Sequence, residues 1–124
     1  MLARILVVDD DEDICVLVGR TLSNEGYKVD LAEDGVQALE SMGESDYDLV
    51  VLDVMMPNKN GLEVIRDMKN EGRLRSIPIL LFSALGTGTK MMLQDENQAD
   101  DYAQKPFMKN DFLMKVKKLI NKAK

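Results

Sequence analysis

The stretch DLVVLDVMMP, residues 48–57, decides the fold of this chain. Its run of four apolar residues between two acids is rich in Val and Leu, as is typical of a buried strand in a parallel sheet. Open α/β sheets bind their ligands outside the carboxyl ends of the strands, so Asp53 stands where a site is expected. An isolated Asp in such a position more often caps the following turn, and the neighbouring strands decide between the two interpretations.

Two further apolar runs, ILVV at 5–8 and ILLF at 79–82, also end in polar side chains. A fifth segment of the chain ends in a lysine that is followed by Pro106. Because parallel strands bring their carboxyl ends to one edge of the sheet, these polar groups are expected to converge there. The convergence indicates a site rather than a set of turn caps, and its members are Asp9, Asp10, Asp53, Ser83 and Lys105.

Length and composition favour one globular domain. The chain has 124 residues, of which 45% are hydrophobic and 31% charged, so a single core is expected. The net charge of −6 argues against direct binding to nucleic acid, and no apolar run approaches the roughly 20 residues that span a membrane. The N-terminus runs straight into a strand with no room for a signal peptide, and the single Cys15 is expected to be a small buried side chain. These features predict a cytoplasmic protein, and the absence of histidine excludes His-based chemistry.

Strand and helix patterns alternate along the chain without a linker. Such βα units predict a parallel sheet with right-handed crossovers and helices on both faces. We therefore expect an α/β protein with a flavodoxin-like, doubly wound five-stranded parallel sheet and five helices. The expected strand order, 2-1-3-4-5, is taken from the common doubly wound folds, of which it suits five strands, and does not follow from the pattern itself. Apolar residues at helical spacing include Leu17 in the first helix and Val36 in the second. The predicted strands are 4–8, 27–32, 49–53, 79–82 and 101–104, and the predicted helices are about 11–25, 34–42, 62–70, 89–97 and 109–123.

The expected strand order brings Asp9, Asp10 and Asp53 together, because strands one and three are neighbours in it. Like charges at close range repel one another unless a cation neutralises them. Carboxylate oxygens without His or Cys suit Mg²⁺, whereas the acids at 11–13 are expected only to favour the N-terminus of the first helix. A carboxylate beside Mg²⁺, a hydroxyl and a lysine provides the parts for phosphoryl transfer, with an Asp as nucleophile.

Six stretches of the chain match one known pattern, in order and at compatible spacing. They are ILVVDD at 5–10, AEDGVQAL at 32–39, LDVMMP at 52–57, NGLE at 60–63, SA at 83–84, and DY at 101–102 through KPF at 105–107. Each stretch is weak evidence alone, but together they are specific. On these residues the whole chain resembles the receiver domain of two-component response regulators, including the chemotaxis-regulator-like members.

The resemblance implies that Asp53 accepts a phosphoryl group from a phosphohistidine on a sensor histidine kinase or a histidine phosphotransfer protein. Asp10, Asp53 and the backbone carbonyl of Met55 would bind Mg²⁺, and Asp9 would act largely through water. Ser83 would hydrogen-bond the phosphoryl oxygens. The chain would then not be an enzyme in the usual sense, since it catalyses only phosphoryl transfer onto itself and the slow hydrolysis that follows.

The same resemblance implies how the signal leaves the site. Lys105 would pair with the phosphoryl oxygens, and Tyr102 would be the switch aromatic that changes the face formed by the fourth helix, the fifth strand and the fifth helix. The downstream protein target or effector domain is not identified, and a phosphorylation-dependent homodimer fits the family. Met55 and Leu85 would border the approach of a hydrolytic water, and their apolar side chains predict slow self-hydrolysis.

Two other functions share part of this pattern. A flavodoxin-like electron carrier has the same fold, but it needs a Ser/Thr/Gly phosphate loop after strand one, where this chain has acids. A Mg²⁺-dependent phosphatase with an Asp nucleophile usually needs a second acid or base two residues beyond it, and that position is Met55. Both alternatives are therefore weaker than the receiver interpretation.

The chain ends at NKAK, residues 121–124, directly after the fifth predicted helix. It is therefore either a stand-alone regulator that acts by protein contact or a piece of a longer protein. We expect residues 1–124 to form a single receiver domain, and we slightly favour the stand-alone form.

Overall fold

The five predicted strands form one parallel sheet in the computed structural model, which describes residues 3–83, 99–104 and 108–123. The order is β2-β1-β3-β4-β5, and every neighbouring pair is parallel, as the sequence predicts. The strands are Arg4–Val8 (β1), Lys28–Ala32 (β2), Leu49–Asp53 (β3), Ile79–Ser83 (β4) and Asp101–Gln104 (β5). β3 is the central strand and all five of its residues are buried, as its apolar composition predicts.

Four α-helices fall within the described residues. They are Glu12–Asn24 (α1), Gly35–Glu44 (α2), Gly61–Lys69 (α3) and Lys109–Ala123 (α4), and a short 3₁₀ helix spans Leu74–Ser76. The helix predicted over 89–97 lies outside the described residues, so the expectation of five helices is tested for four of them. The second helix continues through Gly43, where the sequence predicted that it would end.

The first turns of three helices are fixed by side-chain caps that the sequence provides. Asp11 accepts hydrogen bonds from the backbone N–H groups of Asp13 and Ile14, and so begins α1. Asn60 and Glu63 form a reciprocal capping box at the start of α3. Because α1 and α3 start close to the ends of β1 and β3, these caps also hold the loops that leave the two strands.

Each face of the sheet carries its own apolar layer. Helices α1 and α4 cover one face, where Val18 and Phe112 pack with Ile5 and Val51. Helices α2 and α3 cover the other face, where Met42 packs with the residues that alternate with Ile5 and Val51 along β1 and β3. Coverage on both faces confirms the doubly wound architecture.

The structure corrects two predicted apolar positions. Leu17 is 46% exposed and Val36 is 44% exposed, although both were expected on the apolar side of their helices. The buried stripe of α1 instead runs through Cys15, Val18 and Leu22, and the stripe of α2 has the same spacing. A side chain one residue away from such a stripe is rotated by about 100° around the helix and reaches solvent.

Candidate functional site

Three carboxylates meet at the carboxyl ends of β1 and β3. Val8 pairs with Leu52, so Asp9 leaves β1 beside Asp53, the last residue of β3. One carboxylate oxygen from each of Asp9, Asp10 and Asp53 lies within 4.8 Å of the others. The structure therefore brings together the three acids that the sequence singled out.

The three acids differ in exposure. Asp9 is 2% exposed and Asp53 is 6% exposed, because they follow strands that are buried on both faces. Asp10, two residues beyond the end of β1 and directly after the buried Asp9, is exposed. The site is thus a buried pair of carboxylates with a third that faces solvent, an arrangement open to a ligand from one side.

Hydrogen bonds fix Asp9 on both its backbone and its side chain. Its backbone N–H donates to the carbonyl of Ala32 at 3.1 Å, which extends the pairing of β1 with β2 by one residue. Its Oδ1 accepts from the backbone N–H of Asp11 at 2.9 Å. Asp11 itself caps α1, as predicted, so the acids after β1 divide between site and helix cap.

Cys15 lies directly behind Asp9. Its thiol is 4% exposed and donates to the carbonyl of Asp9 with 3.2 Å between Sγ and O. Burial, with a smaller effect of the Asp9 charge, raises the pKa of this thiol to about 11, so it stays protonated and remains a donor. The sequence correctly predicted a small buried side chain, but nothing in its pattern indicated this hydrogen bond.

The loop between β3 and α3 carries Met55, whose backbone carbonyl is an expected metal ligand. Met55, two residues beyond Asp53, is 66% exposed. The loop closes through a hydrogen bond from the Gly61 N–H to the Val54 carbonyl at 2.9 Å. Within it, Asn58 has a left-handed backbone with φ of 67°, and its side chain donates to Asp34. Sequence reasoning missed these loop contacts, although the Asn58-Lys59-Asn60-Gly61 turn composition indicated a tight turn.

The remaining predicted residues lie on the β4–β5 side of the site. Ser83 ends β4 and pairs with Gln104, and its side chain lies outside the described part of the chain. Lys105 also lies outside it. Tyr102 lies in β5 and is half-buried against the core layer of α2 and α3. This burial is the main cause that raises the pKa of the Tyr102 hydroxyl. The structure therefore shows the Ser83 backbone at the end of β4 and Tyr102 within β5, while the roles of both residues and the positions of the Ser83 hydroxyl and the Lys105 amine stay predictions.

The donor set fits Mg²⁺. All three members of the cluster are carboxylates, and hard oxygen ligands are the ones that Mg²⁺ prefers. A magnesium site commonly uses one or two protein carboxylates and keeps several waters, which matches a cluster with one solvent-facing acid.

Among the described residues, no helix is both long enough and apolar enough to cross a membrane.

Comparison with known proteins supports the same assignment. The family model of the response regulator receiver domain matches residues 5–117. Response regulator MprA of Mycobacterium ulcerans is 41% identical over 124 residues, which is all of this chain and 53% of that protein. The chain thus spans about half the length of the curated relatives it matches.

Two solved structures that contain magnesium are similar in fold to this chain. Response regulator protein TrrA from Thermotoga maritima, in complex with Mg²⁺-BeF, has a TM-score of 0.84 and 37% identity, covering 95% of this chain and 99% of that one. The receiver domain of a sensor histidine kinase from Pseudomonas aeruginosa, with a magnesium ion in its active site cleft, has a TM-score of 0.90 and 25% identity. That match covers 98% of this chain and 99% of the other.

Proposed function

Because this chain belongs to the response regulator receiver domain family of two-component signalling, we propose that it is a phosphorylation switch with Asp53 as the phosphoacceptor. The observation that carries the proposal is the meeting of Asp9, Asp10 and Asp53 within 4.8 Å at the end of the central strand. Of the three, Asp53 stands at the end of the central strand and lies beside β4, which leads to Ser83.

The proposed transfer is a displacement at phosphorus. A carboxylate oxygen of Asp53 forms a bond to the phosphorus of a phosphohistidine on the partner, and the bond from phosphorus to the histidine nitrogen breaks. The product is an aspartyl phosphate, and the released imidazole takes the electron pair and then a proton from water. Sensor histidine kinases phosphorylate receiver domains of this family, so a kinase of that class, or a histidine phosphotransfer protein, is the proposed donor.

Asp9, Asp10, Asp53 and the Met55 carbonyl would hold Mg²⁺, which when bound neutralises charge on the transferring group. The three carboxylates of this cluster supply oxygen ligands of the kind that Mg²⁺ prefers. By resemblance, Ser83 and Lys105 bind the phosphoryl oxygens of the product. The chain would catalyse only this transfer and the later hydrolysis at its own Asp53.

We further propose that Tyr102 reports the phosphorylated state to the surface. The backbone carbonyl of Tyr102 accepts a hydrogen bond from the amine of Lys115 on α4 at 2.6 Å, and Lys115 also pairs with Asp111 at 3.3 Å. A shift of β5 at Tyr102 would therefore pull on α4 directly. The face of β5, α4 and the chain between β4 and β5 is the proposed output surface, for a protein target, an effector domain or a second copy.

The test of this function is phosphoryl uptake from a small donor. Incubation with acetyl phosphate and Mg²⁺ should add one phosphoryl group by intact mass, and the addition should disappear in Asp53→Asn. Asp30→Asn is the matched control, because it makes the same change in the middle of β2, at a carboxylate that pairs with Arg4 and is not one of the three site acids. Rapid turnover of the donor without a stable adduct would favour the phosphatase alternative, and bound flavin absorbance would favour the electron carrier.

The output step has a separate test. Beryllofluoride should change the amide chemical shifts of Tyr102 and of α4 around Lys115. Tyr102→Ala should leave phosphoryl uptake intact and reduce the shift changes in α4. Changes confined to the three acids and their loops would contradict the proposed output surface.

A further inference from the structure

The loop that carries Met55 is held at two separate points. It runs from Val54 to Asn60, between the last residue of β3 and the first residue of α3. One point is the start of α3, on the same chain segment, and the other is the start of α2, which is distant in sequence. The second point is the unexpected one, because α2 contributes none of the expected ligands or phosphoryl contacts.

At α2 the loop packs against a glycine. A Cβ atom at Gly35 would lie 2.6 Å from Cγ2 of Val64 and 2.9 Å from Cβ of Lys59, and nearer still to the Lys59 carbonyl oxygen. Real side chains do not approach so closely, so only glycine allows the loop backbone to rest on the first turn of α2.

A hydrogen bond reinforces this contact one residue away. The amide Nδ2 of Asn58 donates to Oδ2 of Asp34 at 3.0 Å, while Oδ1 of the same carboxylate accepts from the Gln37 N–H and caps α2. Asn58 is left-handed, a conformation that Asn tolerates better than most residues. One carboxylate therefore begins α2 and holds the loop.

At α3 a second glycine sets the other end of the loop. A Cβ atom at Gly61 would lie 3.0 Å from Cα of Val54 and closer still to the carbonyl oxygen of Asp53. The Gly61 N–H donates to the Val54 carbonyl at 2.9 Å. The residues between these two anchors include Met55, so both anchors limit where its carbonyl can lie.

We propose that Asp34, Gly35 and Asn58 are positioning residues for the metal site, which act by fixing the loop that presents the Met55 carbonyl. The inference rests on the proposed function, since it assumes that this carbonyl is a Mg²⁺ ligand. It assigns α2 a role in metal binding, although the proposed function includes no α2 residue among the Mg²⁺ ligands. Residues behind a metal's direct ligands commonly change metal affinity by about 10- to 100-fold when they are altered.

The competing explanation is that these contacts only stabilise the packing of α2 on α3. Gly35→Ala tests the difference, because its added methyl group pushes on the Lys59 backbone. Gly43→Ala is the matched control, since it makes the same change in the same helix with no atom within 4 Å of the new methyl. Val64→Ala is the stability control, because it removes a fully buried side chain near Gly35 without pushing on the loop.

Two measurements report on the loop. Calorimetric titration of each variant with Mg²⁺ should show about tenfold weaker affinity for Gly35→Ala, and the wild-type value for Gly43→Ala and Val64→Ala. In the metal-free protein, hydrogen exchange of the Gly61 amide should be faster in Gly35→Ala than in Gly43→Ala. Asn58→Gly, which permits the left-handed backbone and removes the bond to Asp34, should change both quantities in the same direction and by less.

The outcomes separate the two proposals. Wild-type protein that binds no Mg²⁺ would overturn the proposed function. Wild-type affinity and wild-type Gly61 exchange in both Gly35→Ala and Asn58→Gly would overturn the positioning role alone. Weakening of Mg²⁺ affinity by Val64→Ala as large as that by Gly35→Ala would assign the contacts to packing. If Gly35→Ala does not fold, Asn58→Gly carries the test, because it adds no atoms.

Discussion

The two ends of the parallel sheet use carboxylates in opposite ways. Near the amino end, the Arg4 guanidinium donates to Asp30 in the middle of β2 at 2.7 and 3.0 Å, and the Tyr47 hydroxyl donates to the same carboxylate at 2.7 Å. The Arg4 backbone N–H also donates to Asp48 at 2.8 Å. At the carboxyl end, three acids lie within 4.8 Å of one another. One end surrounds an acid with donors, and the other gathers acids.

Charge explains how the Asp30 pairing near the amino end strengthens the fold without a ligand. Burial alone would raise the pKa of Asp30, but the hydrogen bonds from Tyr47 and Arg4 outweigh it and lower that pKa. The guanidinium of Arg4 also lies over the Tyr47 ring, 5.2 Å from its centroid. Three gathered acids repel one another and become favourable when a cation joins them. The amino end is therefore structural, and the carboxyl end is poised for a ligand.

The largest expected difference between the two ends is the response to metal. Mg²⁺ at about 100 times its dissociation constant should raise the free energy of unfolding by about 2.7 kcal/mol in the wild-type protein. Asp53→Asn should lose most of this gain, and Asp30→Asn should keep it. Urea unfolding with and without Mg²⁺, at constant ionic strength, measures the gain. Equal gains in the two variants would erase the distinction between the ends.

The next effect concerns the lifetime of the phosphorylated state. Met55 is exposed two residues beyond Asp53, and by resemblance it borders the path of the hydrolytic water together with Leu85, which lies outside the described residues. The double variant Met55→Asn with Leu85→Glu should shorten the lifetime about tenfold, or about 1.4 kcal/mol of barrier, because polar groups orient water. The measurement is decay of the phosphorylated mass in Mg²⁺ buffer after donor removal. Decay as slow as in the wild type would show that these side chains do not control the water.

Removing one donor at the amino end should reduce stability without affecting the site. Tyr47→Phe deletes the hydroxyl that donates to Asp30 and should lower the free energy of unfolding by about 1 kcal/mol. Urea unfolding checks this value, and the Mg²⁺ gain measured in the same variant should match the wild type. A reduced Mg²⁺ gain would mean that the two ends are coupled through the sheet.

The smallest expected effect is the pH dependence at the amino end. The folded pKa of Asp30 lies below its ordinary value of 3.8, so its contribution to stability is present above that value. It is lost as the pH falls through the folded pKa. Asp30→Asn should therefore lower stability at pH 7, by less than about 1 kcal/mol because the carboxylate is 34% exposed, and the difference from wild type should shrink below pH 3.8. A difference that does not change with pH would contradict the ionised pair.

Local sequence patterns were sufficient for the strands and for the acids of the site. Continuous apolar runs identified β1, β3 and β4, since strands that are buried on both faces consist almost entirely of apolar residues. Because the doubly wound order makes β1 and β3 neighbours, the meeting of Asp9 with Asp53 followed from those runs. The cap at Asp11 was also predictable, because it depends only on residues within one helical turn.

Contacts between distant segments were not predictable in the same way. The pairing of Asn58 with Asp34 and the close approach at Gly35 depend on how α2 and the β3–α3 loop pack. The exposure of Leu17 and Val36 depends on how each helix is rotated on the sheet, and apolar spacing alone left neighbouring positions equivalent.

Hydrophobic periodicity and strand ends are local properties, so the sequence by itself determined the parallel sheet and the acids at its carboxyl end, whereas the strand order was taken from known doubly wound folds. Only the tertiary structure decided that Arg4 pairs with Asp30, that Tyr47 donates to the same carboxylate, and that α2 contacts the loop of Met55. Those pairs join residues 17 to 26 positions apart, and their geometry depends on register and packing. No short-range pattern encodes such geometry, since it exists only once the layers are assembled.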